Sequence, residues 1–592
     1  MEDEGRTTKP VADWVARGKM TKEHVLPRLD HAIKINSAIE PEERPIIEST
    51  FSSASSSRPS GEGQVLTELA FISLLQTKGT LPRGHKGTEA GRIIYESITY
   101  LSSLPYVLHG PQPFSQTGAL SLAKLNRALV WLLPDRAKYI IEESNFSRIR
   151  TRWDRLRLLF QSLATGTVPP AAQDRVRDRA RSLAARHAFD VSWDGYLDIC
   201  AVNNDDDGDE IYHDLLDVLY STQEDRPKWT TPVLRDAFRD IAKKIRTEEE
   251  IPELCTLAIP MQRFKDLVKV LLVLHMEYEN TDGNEDVDLS QYDDAADSLC
   301  AAFAQDHDIE TTGLITWPSF AQALETVSPY IVEPLYRLLT VTFMDKEAPL
   351  NVSGPSDPPR NLPPDTILTL PRASQLISFL DGNVETGYLR RADRYVSPNF
   401  PTPAAFVRAL EGVPEPEEAI VLFSGRVIAA AGVAGEGEKP CVFGLFSPMP
   451  KKDGSCIQDP SETQPDNPSL RSCQLFQLSP VQDVFRGVVG EPGWGVVADA
   501  EGGETVVFGG VSAIGSAIGS AKDQKGGVSL VLRDGLRRGR IQQYGGTVEA
   551  KFDEDEDGKK SKGISYQANP GRGDWTLEFV VEEIEIWTED PA

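Results

Sequence analysis

The sequence predicts an α+β multidomain protein, with an all-helical N-terminal half and a C-terminal β domain flanked by helices. Three observations carry this. Apolar residues recur at helical spacing through the first 345 residues, as in Leu122, Leu125, Leu129 and Leu132. Residues 346–365 (KEAPLNVSGPSDPPRNLPPD) are too dense in proline for helix or strand and read as an extended linker. Beyond them, short β-like runs separated by Gly, Pro and Asp replace the helical stripes.

At 592 residues the chain is too long for one hydrophobic core, so several domains are expected. Its formal charge of −28 repels phosphate backbones and anionic lipid heads. Direct nucleic-acid binding would need a local basic patch, and a basic protein partner fits the overall charge better. The six cysteines (Cys200, Cys255, Cys300, Cys441, Cys456 and Cys473) form no CxxC pair and no zinc spacing. Such use suits free thiols in a reducing cytosol. Met1-Glu2-Asp3-Glu4 reads as neither signal nor transit peptide, and Glu2 stands where myristoylation requires glycine. The longest apolar run, 419–434, is too short to span a bilayer and contains Arg426. The expectation is a cytoplasmic protein without a transmembrane segment.

Taken in order, residues 1–64 form a helical, partly disordered segment. Val25, Leu29 and Ile33 lie at spacing four, and 51–63 is a Ser/Pro/Gly-rich loop. Residues 65–220 form a helical domain. Its stripes are Leu66-Leu69-Ala70-Ile72, Ile93-Ile94-Ile98-Leu101, the leucines that stop at Pro134, and Trp153-Leu156-Phe160-Leu163. Residues 203–210 are a solvated acidic turn. Residues 221–345 form a second helical domain, where Phe264, Leu267, Val268, Leu271, His275 and Tyr278 share a face. His275 has no second ligand set nearby and reads as a core or edge histidine. Residues 366–592 form the β domain. Helices are expected at 371–380 and 403–410, each with proline in its first turn. Strands are expected at 419–423, 441–446, 474–478, 505–508, 528–532 and 575–587. Residues 509–527 and 551–563 read as surface insertions.

One metal-like pattern occurs. Asp308, Glu310, Thr312, Gly313, Ile315 and Thr316 occupy positions one, three, five, six, eight and nine of an EF-hand loop. Leu299, Ala302 and Phe303 suit an entering helix, and Phe320, Leu324 and Val327 an exiting one. Position twelve should be a bidentate Glu and is Ser319. The expectation is an EF-hand shape that does not hold calcium.

Catalytic signals are sparse. All eight histidines precede residue 308, which rules out a Ser-His or Cys-His pair inside the β domain. Residues 79–86 only mimic a P-loop, because Lys86 falls one place late and no Ser or Thr follows it. Glu583 and Glu585 are the obvious carboxylate pair, expected on the wet face of an amphipathic strand. Cys441 and Cys473 sit in apolar runs where burial makes thiols inert. No enzyme activity, cofactor or catalytic residue is expected. A calcium-responsive adaptor and a thiol-dependent redox enzyme remain alternatives.

The last strand organises the domain. Trp575, Leu577, Phe579 and Val581 alternate, and Ile584 and Ile586 continue out of phase. A bulge at Glu582-Glu583 returns Ile584 and Ile586 to the core face, with Glu585 and Trp587 on the other, in a polar or helix-covered environment. Ahead of it come Val442-Phe443-Gly444-Leu445-Phe446, then Phe476-Gln477-Leu478-Ser479-Pro480, then Val507-Phe508-Gly509-Gly510. The hairpin Gly527-Val-Ser-Leu530-Val-Leu532-Arg-Asp-Gly-Leu536-Arg-Arg-Gly539 precedes the closing Phe579–Trp587 run. These five motifs in order resemble the TLDc domain across about residues 367–589. With the EF-hand-like unit upstream, the plan is similar to fungal restriction-of-telomere-capping proteins that carry a TLDc domain. The early strand of that family is matched only loosely, by Tyr388-Leu389-Arg390-Arg391.

The resemblance implies a non-catalytic TLDc β-sandwich flanked by helices. It makes Phe443, Gly444, Phe476, Pro480, Gly509, Gly510, Gly539, Phe579, Glu585 and Trp587 structural motif residues. It also implies binding to the vacuolar proton-pumping ATPase with influence on its assembly, a link to oxidation resistance, and recruitment to the vacuolar membrane surface through that partner. The telomere-capping phenotype would be indirect.

Overall fold

Helices form where apolar residues recur every three or four positions. The computed structural model describes residues 4–57, 63–106, 119–140, 152–187, 211–223, 233, 235–248, 252–276, 288–304, 313–344, 362–380, 386–411, 418–428, 439–448, 473–487, 494–498, 503–509, 527–544, 566, 569 and 572–589. The expected acidic turn at 203–210, the linker as far as 361, and the insertions at 510–526 and 551–563 lie outside them.

The N-terminal part contains α1 (Glu4–Ala16), α2 (Lys22–Ile35), α3 (Glu43–Ala54), α4 (Glu68–Thr77), α5 (His85–Leu101), α6 (Leu122–Leu132) and α7 (Arg152–Leu163). It continues with α8 (Pro170–His187), α9 (Ile211–Ser221), α10 (Arg239–Glu248), α11 (Met261–His275), α12 (Asp293–Phe303), α13 (Trp317–Thr326) and α14 (Glu333–Phe343). Ser121 caps α6 by accepting from the Lys124 N–H, and the helix ends two residues before Pro134. The stripes of α2, α5, α6 and α7 are buried as their spacing requires. Two readings are corrected. Leu69 is 76% exposed, because the inward face of α4 is set by Phe71, Ile72 and Leu75. Phe51 belongs to α3 and is buried; its hydrophobic contact outweighs the Ser-rich sequence around it. After α3, β1 (Ser56–Ser57) pairs with β2 (Gln64–Val65).

One apolar cluster runs from Val11 to Met344 and joins all three expected helical segments. Phe264 lies 4.8 Å from Phe303 and 5.8 Å from Phe320, and Phe160 lies 5.5 Å from Phe320. Three very short strands pass through this half: β3 (Gly166–Thr167), β4 (Leu257–Pro260) and β5 (Leu314–Thr316), in antiparallel order β3-β4-β5. Each leads into a helix, α8, α11 and α13 respectively.

The C-terminal part holds α15 (Leu370–Leu380), β6 (Leu389–Val396), α16 (Pro403–Glu411), β7 (Glu418–Val427), β8 (Pro440–Pro448), β9 (Gln474–Ser479) and β10 (Asp483–Arg486). Then come β11 (Trp494–Ala498), β12 (Glu504–Phe508), β13 (Gly527–Arg533), β14 (Arg538–Tyr544) and β15 (Trp575–Glu589). All pairing is antiparallel, in the order β10-β9-β8-β7-β15-β14-β13-β12-β11, with β6 also on β15. The 15-residue β15 is the shared strand. Its first half pairs with β14, its second half with β6, and β7 runs along its other edge from Phe579 to Thr588. The register against β7 shifts between Val581 and Glu583, which is the bulge expected from the slipped alternation.

The sheet folds over on itself. Phe423 of β7 and Phe508 of β12 are four strands apart in the pairing order, yet their rings are 5.7 Å apart. Phe579, Val581, Ile584 and Ile586 fill the space between the two wings, and Phe406 of α16 closes one end. The other face of β7, β8 and β9 packs on α15, with Met276 from the helical half joining the same cluster.

Candidate functional site

The motif residues divide between the two faces of this sheet. Phe443 stacks 4.6 Å from Phe579 in the inner core. Phe579 lies directly opposite Gly539, where an added Cβ would sit 2.1 Å from the ring. Gly444 performs the same role on the outer face, under Phe476, where a Cβ would meet the ring at 2.3 Å. Phe476 then contacts Phe379 of α15 at 5.4 Å. Gly509 has φ +80° and abuts Tyr566. Pro480 follows a cis peptide bond in the turn from β9 to β10. Gly510 lies outside the described residues.

Glu585 lies on a helix-covered face and not a wet one, because α15 and the segment leading into it cover that side of the strand. Its side chain is fully buried. Oε2 accepts from the Thr366 hydroxyl at 2.9 Å, the Ile367 N–H at 3.0 Å and the Trp587 indole N–H at 3.0 Å. Oε1 accepts from the Arg391 guanidinium at 2.9 Å. The carboxylate therefore ties β15, β6 and the entry to α15 together. Glu583, on the same face, pairs with Arg394 of β6, which also reaches Asp365.

A second buried carboxylate, Asp483 at the start of β10, had no signal in the sequence beyond a Gln-Asp pair after Pro480. Arg572 Nη1 donates to it at 2.8 Å and Asn569 Nδ2 at 3.1 Å. Burial pushes its carboxyl above the usual range, against the pull of Arg572. Gln543 clamps the same turn through the Asn569 and Gly573 carbonyls at 2.7 and 2.8 Å. From the helical half, Gln322 of α13 donates to Asn569 at 3.1 Å.

A polar seam joins the halves close by. The Ser298 hydroxyl of α12 donates to the Leu478 carbonyl, and the Gln482 N–H donates back to the Ser298 carbonyl at 3.0 Å. Gln375 of α15 donates to the Leu478 carbonyl and to Gln482 at 3.1 and 3.0 Å. Ser328 and Ser378 hydroxyls meet at 2.7 Å, and the Tyr330 N–H donates to the Ser378 carbonyl at 3.0 Å.

The expected EF-hand-like loop lies between α12 and β5 in the sequence. Asp308, Glu310 and Thr312 lie outside the described residues. Gly313 has φ +62°, and Ile315 pairs with Ile259 of β4. Thr316 and Ser319 are buried and hydrogen-bond to each other at 3.3 Å. No group of three or more metal-ligating side chains occurs among the described residues. His275 is buried on α11, as its apolar face implies. The Cys441 and Cys473 thiols are buried outside any disulfide, and burial pushes Cys441 up to about 12. No helix among the described residues is long and apolar enough to cross a membrane.

No family model matches the chain, and no solved structure matches it. The chain is similar to fungal proteins named restriction of telomere capping protein 5. The relative from Neosartorya fischeri is 24% identical over 437 residues, covering 68% of this chain and 62% of its own length. That from Aspergillus flavus is 26% identical over 433 residues, covering 66% of this chain and 60% of its own. The chain thus matches about three fifths of these relatives' length.

Proposed function

We propose that this chain is a non-catalytic interaction protein. Residues 366–592 form a TLDc-type domain that binds the vacuolar proton-pumping ATPase and influences its assembly. The protein is cytoplasmic and reaches the vacuolar membrane through that partner. Oxidation resistance and telomere capping are downstream effects. The helical half, with an EF-hand-like unit at α12–β5–α13, braces the domain through the Ser298–Gln482 seam.

The observation that carries the reading is the use of Glu585. Of the carboxylate pair that the closing motif offers for acid–base chemistry, Glu585 is occupied by five donors from three separate segments and Glu583 is paired with Arg394. The motif residues around it pack rings onto glycines. A motif set that is spent on holding a sheet together leaves function to the surface. The pairing of Thr316 with Ser319 speaks for a loop kept for its shape, not for calcium. The raised Cys441 thiol speaks against a redox nucleophile.

The test is direct. The purified full chain is mixed with the purified cytosolic sector of the pump and followed by size-exclusion chromatography and by ATP hydrolysis. Co-elution with altered hydrolysis is expected. Separate elution with unchanged hydrolysis overturns the assignment of the partner.

A further inference from the structure

The outer face of the β13–β14–β15 wing carries a row of arginines. Arg533 of β13 is the register partner of Arg538 of β14. Arg538 is opposite Val580 of β15, and Val580 is opposite Arg426 of β7. Arg533, Arg538, Val580 and Arg426 thus form one line across four adjacent strands, and all four are exposed. Arg540 lies in the next row, between Val531 and Glu578.

This patch reverses the charge of the molecule. The chain has 90 acidic and 62 basic side chains. Among the described residues, Arg426, Arg533, Arg538 and Arg540 share this face with Asp534, Glu578 and Glu582. Arg426 meets Glu582 at 2.9 Å, Arg538 meets Asp534 at 3.5 Å and Arg540 meets Glu578 at 4.0 Å, while no ion pair reaches Arg533 among the described residues. Like charges directly opposite across strands destabilise a sheet, and within the described residues only the Asp534 contact to Arg538 offsets the Arg533/Arg538 pair.

The hairpin presents these arginines rigidly. Asp534, Gly535 and Leu536 all have positive φ, at 53°, 62° and 69°. A leucine there is strained, and its side chain is fully buried in the inner core, which pins the tip. Arg537 donates to the Pro398 carbonyl at 3.1 Å, fixing the tip against the end of β6.

We propose that this face docks an acidic amphipathic helix of a partner protein. Strands are about 4.8 Å apart, close to the ~5–6 Å between helix residues three or four apart. A helix laid across the strands sets carboxylates against Arg533 and Arg538, an apolar side chain on Val580, and a further carboxylate against Arg426. Planar guanidinium groups suit carboxylates in two-point contact. Screening limits the reach of each exposed charge to a Debye length of about 10 Å, so a short segment meets only the local patch, whereas duplex DNA or an anionic bilayer extends past it over the surface of a −28 chain and is repelled there. Val580 gives an apolar contact that a phosphate backbone does not use. The proposal does not depend on which complex supplies the helix.

The test uses the full chain and a fluorescein-labelled helical peptide. The peptide carries Glu at two positions one turn apart, Leu one turn further and Glu a turn beyond that. Saturable binding by anisotropy is expected, weakened at least about tenfold by Arg533→Glu with Arg538→Glu and by added salt. Unchanged thermal unfolding checks the fold. If the double variant fails to fold, the exposed Arg533→Gln alone must weaken binding about threefold or more. No binding to wild type, equal binding by a folded variant, or binding of phosphatidylserine vesicles or duplex DNA in place of the peptide overturns the proposal.

Discussion

The indole N–H of Trp587 donates to the carboxylate of Glu585 two residues earlier on the same strand, at 3.0 Å. Both side chains sit on the face of β15 that α15 covers, Trp587 in the apolar cluster and Glu585 in the polar gap beside it. Removing the carboxylate leaves the Ile367 N–H, the Trp587 N–H and a largely buried Arg391 without their acceptor. Glu585→Ala is expected to cost about 3–5 kcal/mol, the range for breaking a buried charged pair. Glu585→Gln, which keeps the shape and one acceptor oxygen, should cost about 1–3 kcal/mol. Urea unfolding of the full chain reads both. A loss under about 1 kcal/mol for the alanine variant would falsify the role of Glu585 as the tie between β15, β6 and α15.

Gly539 and Phe579 form the second testable pair. The ring occupies the space of the missing Cβ, and Phe443 packs on it from β8. Gly539→Ala forces the ring out of place and should destabilise by about 1–3 kcal/mol. Phe579→Leu loses ring contacts but opens room. A double-mutant cycle should therefore give a coupling of about 1 kcal/mol or more, the pair being less damaged than the sum. Strict additivity would mean that the ring moves aside without cost.

Which elements were legible follows from which face they bury. Stripes such as Leu125-Leu129-Leu132 bury one helix face and declare it in sequence. Strands β7, β8, β9, β12, β13 and β15 declare themselves through apolar runs or alternation, and the bulge at Glu582 through its phase slip. Strand β14 does not, because its inward positions are Gly539, Ile541 and Gln543; the glycine is paired with a ring and the glutamine is spent on Asn569. Strand β6 does not either, because Arg391 and Arg394 serve Glu585 and Glu583. Alternation placed Glu585 on the right face but could not say what covers it: Thr366 and Ile367 arrive from more than 200 residues away. The Asp483 cluster was invisible for the same reason, since Asn569 and Arg572 arrive from 86 and 89 residues further along the chain.

Calcium gives a third prediction. Thr316 and Ser319 are buried against each other at the end of the loop where a bidentate carboxylate would be needed. Calorimetry of the full chain with calcium at about 10⁻⁵ M, the sensor range, should give no saturable heat. A fitted site in that range would favour the alternative of a calcium-responsive adaptor.

His275 supplies a pH prediction. It is buried on α11, its Nε2 has no hydrogen-bond partner among the described residues, and burial, with help from Arg337, pushes its pKa down to about 3. The neutral ring is thus the folded form, while the unfolded chain binds a proton near pH 6.5. Above pH 6.5 neither state is protonated and the ring contributes no pH dependence. Below it only the unfolded chain gains the proton, so stability falls by about 1.4 kcal/mol per pH unit until about pH 3. Between pH 7.5 and 5 this one residue should remove about 2 kcal/mol. His275→Leu fills the same apolar site without a titrating group. The variant should lose about 2 kcal/mol less than the wild type over that interval, measured by urea unfolding at both pH values. Equal losses in the two proteins would show that His275 takes up its proton without unfolding.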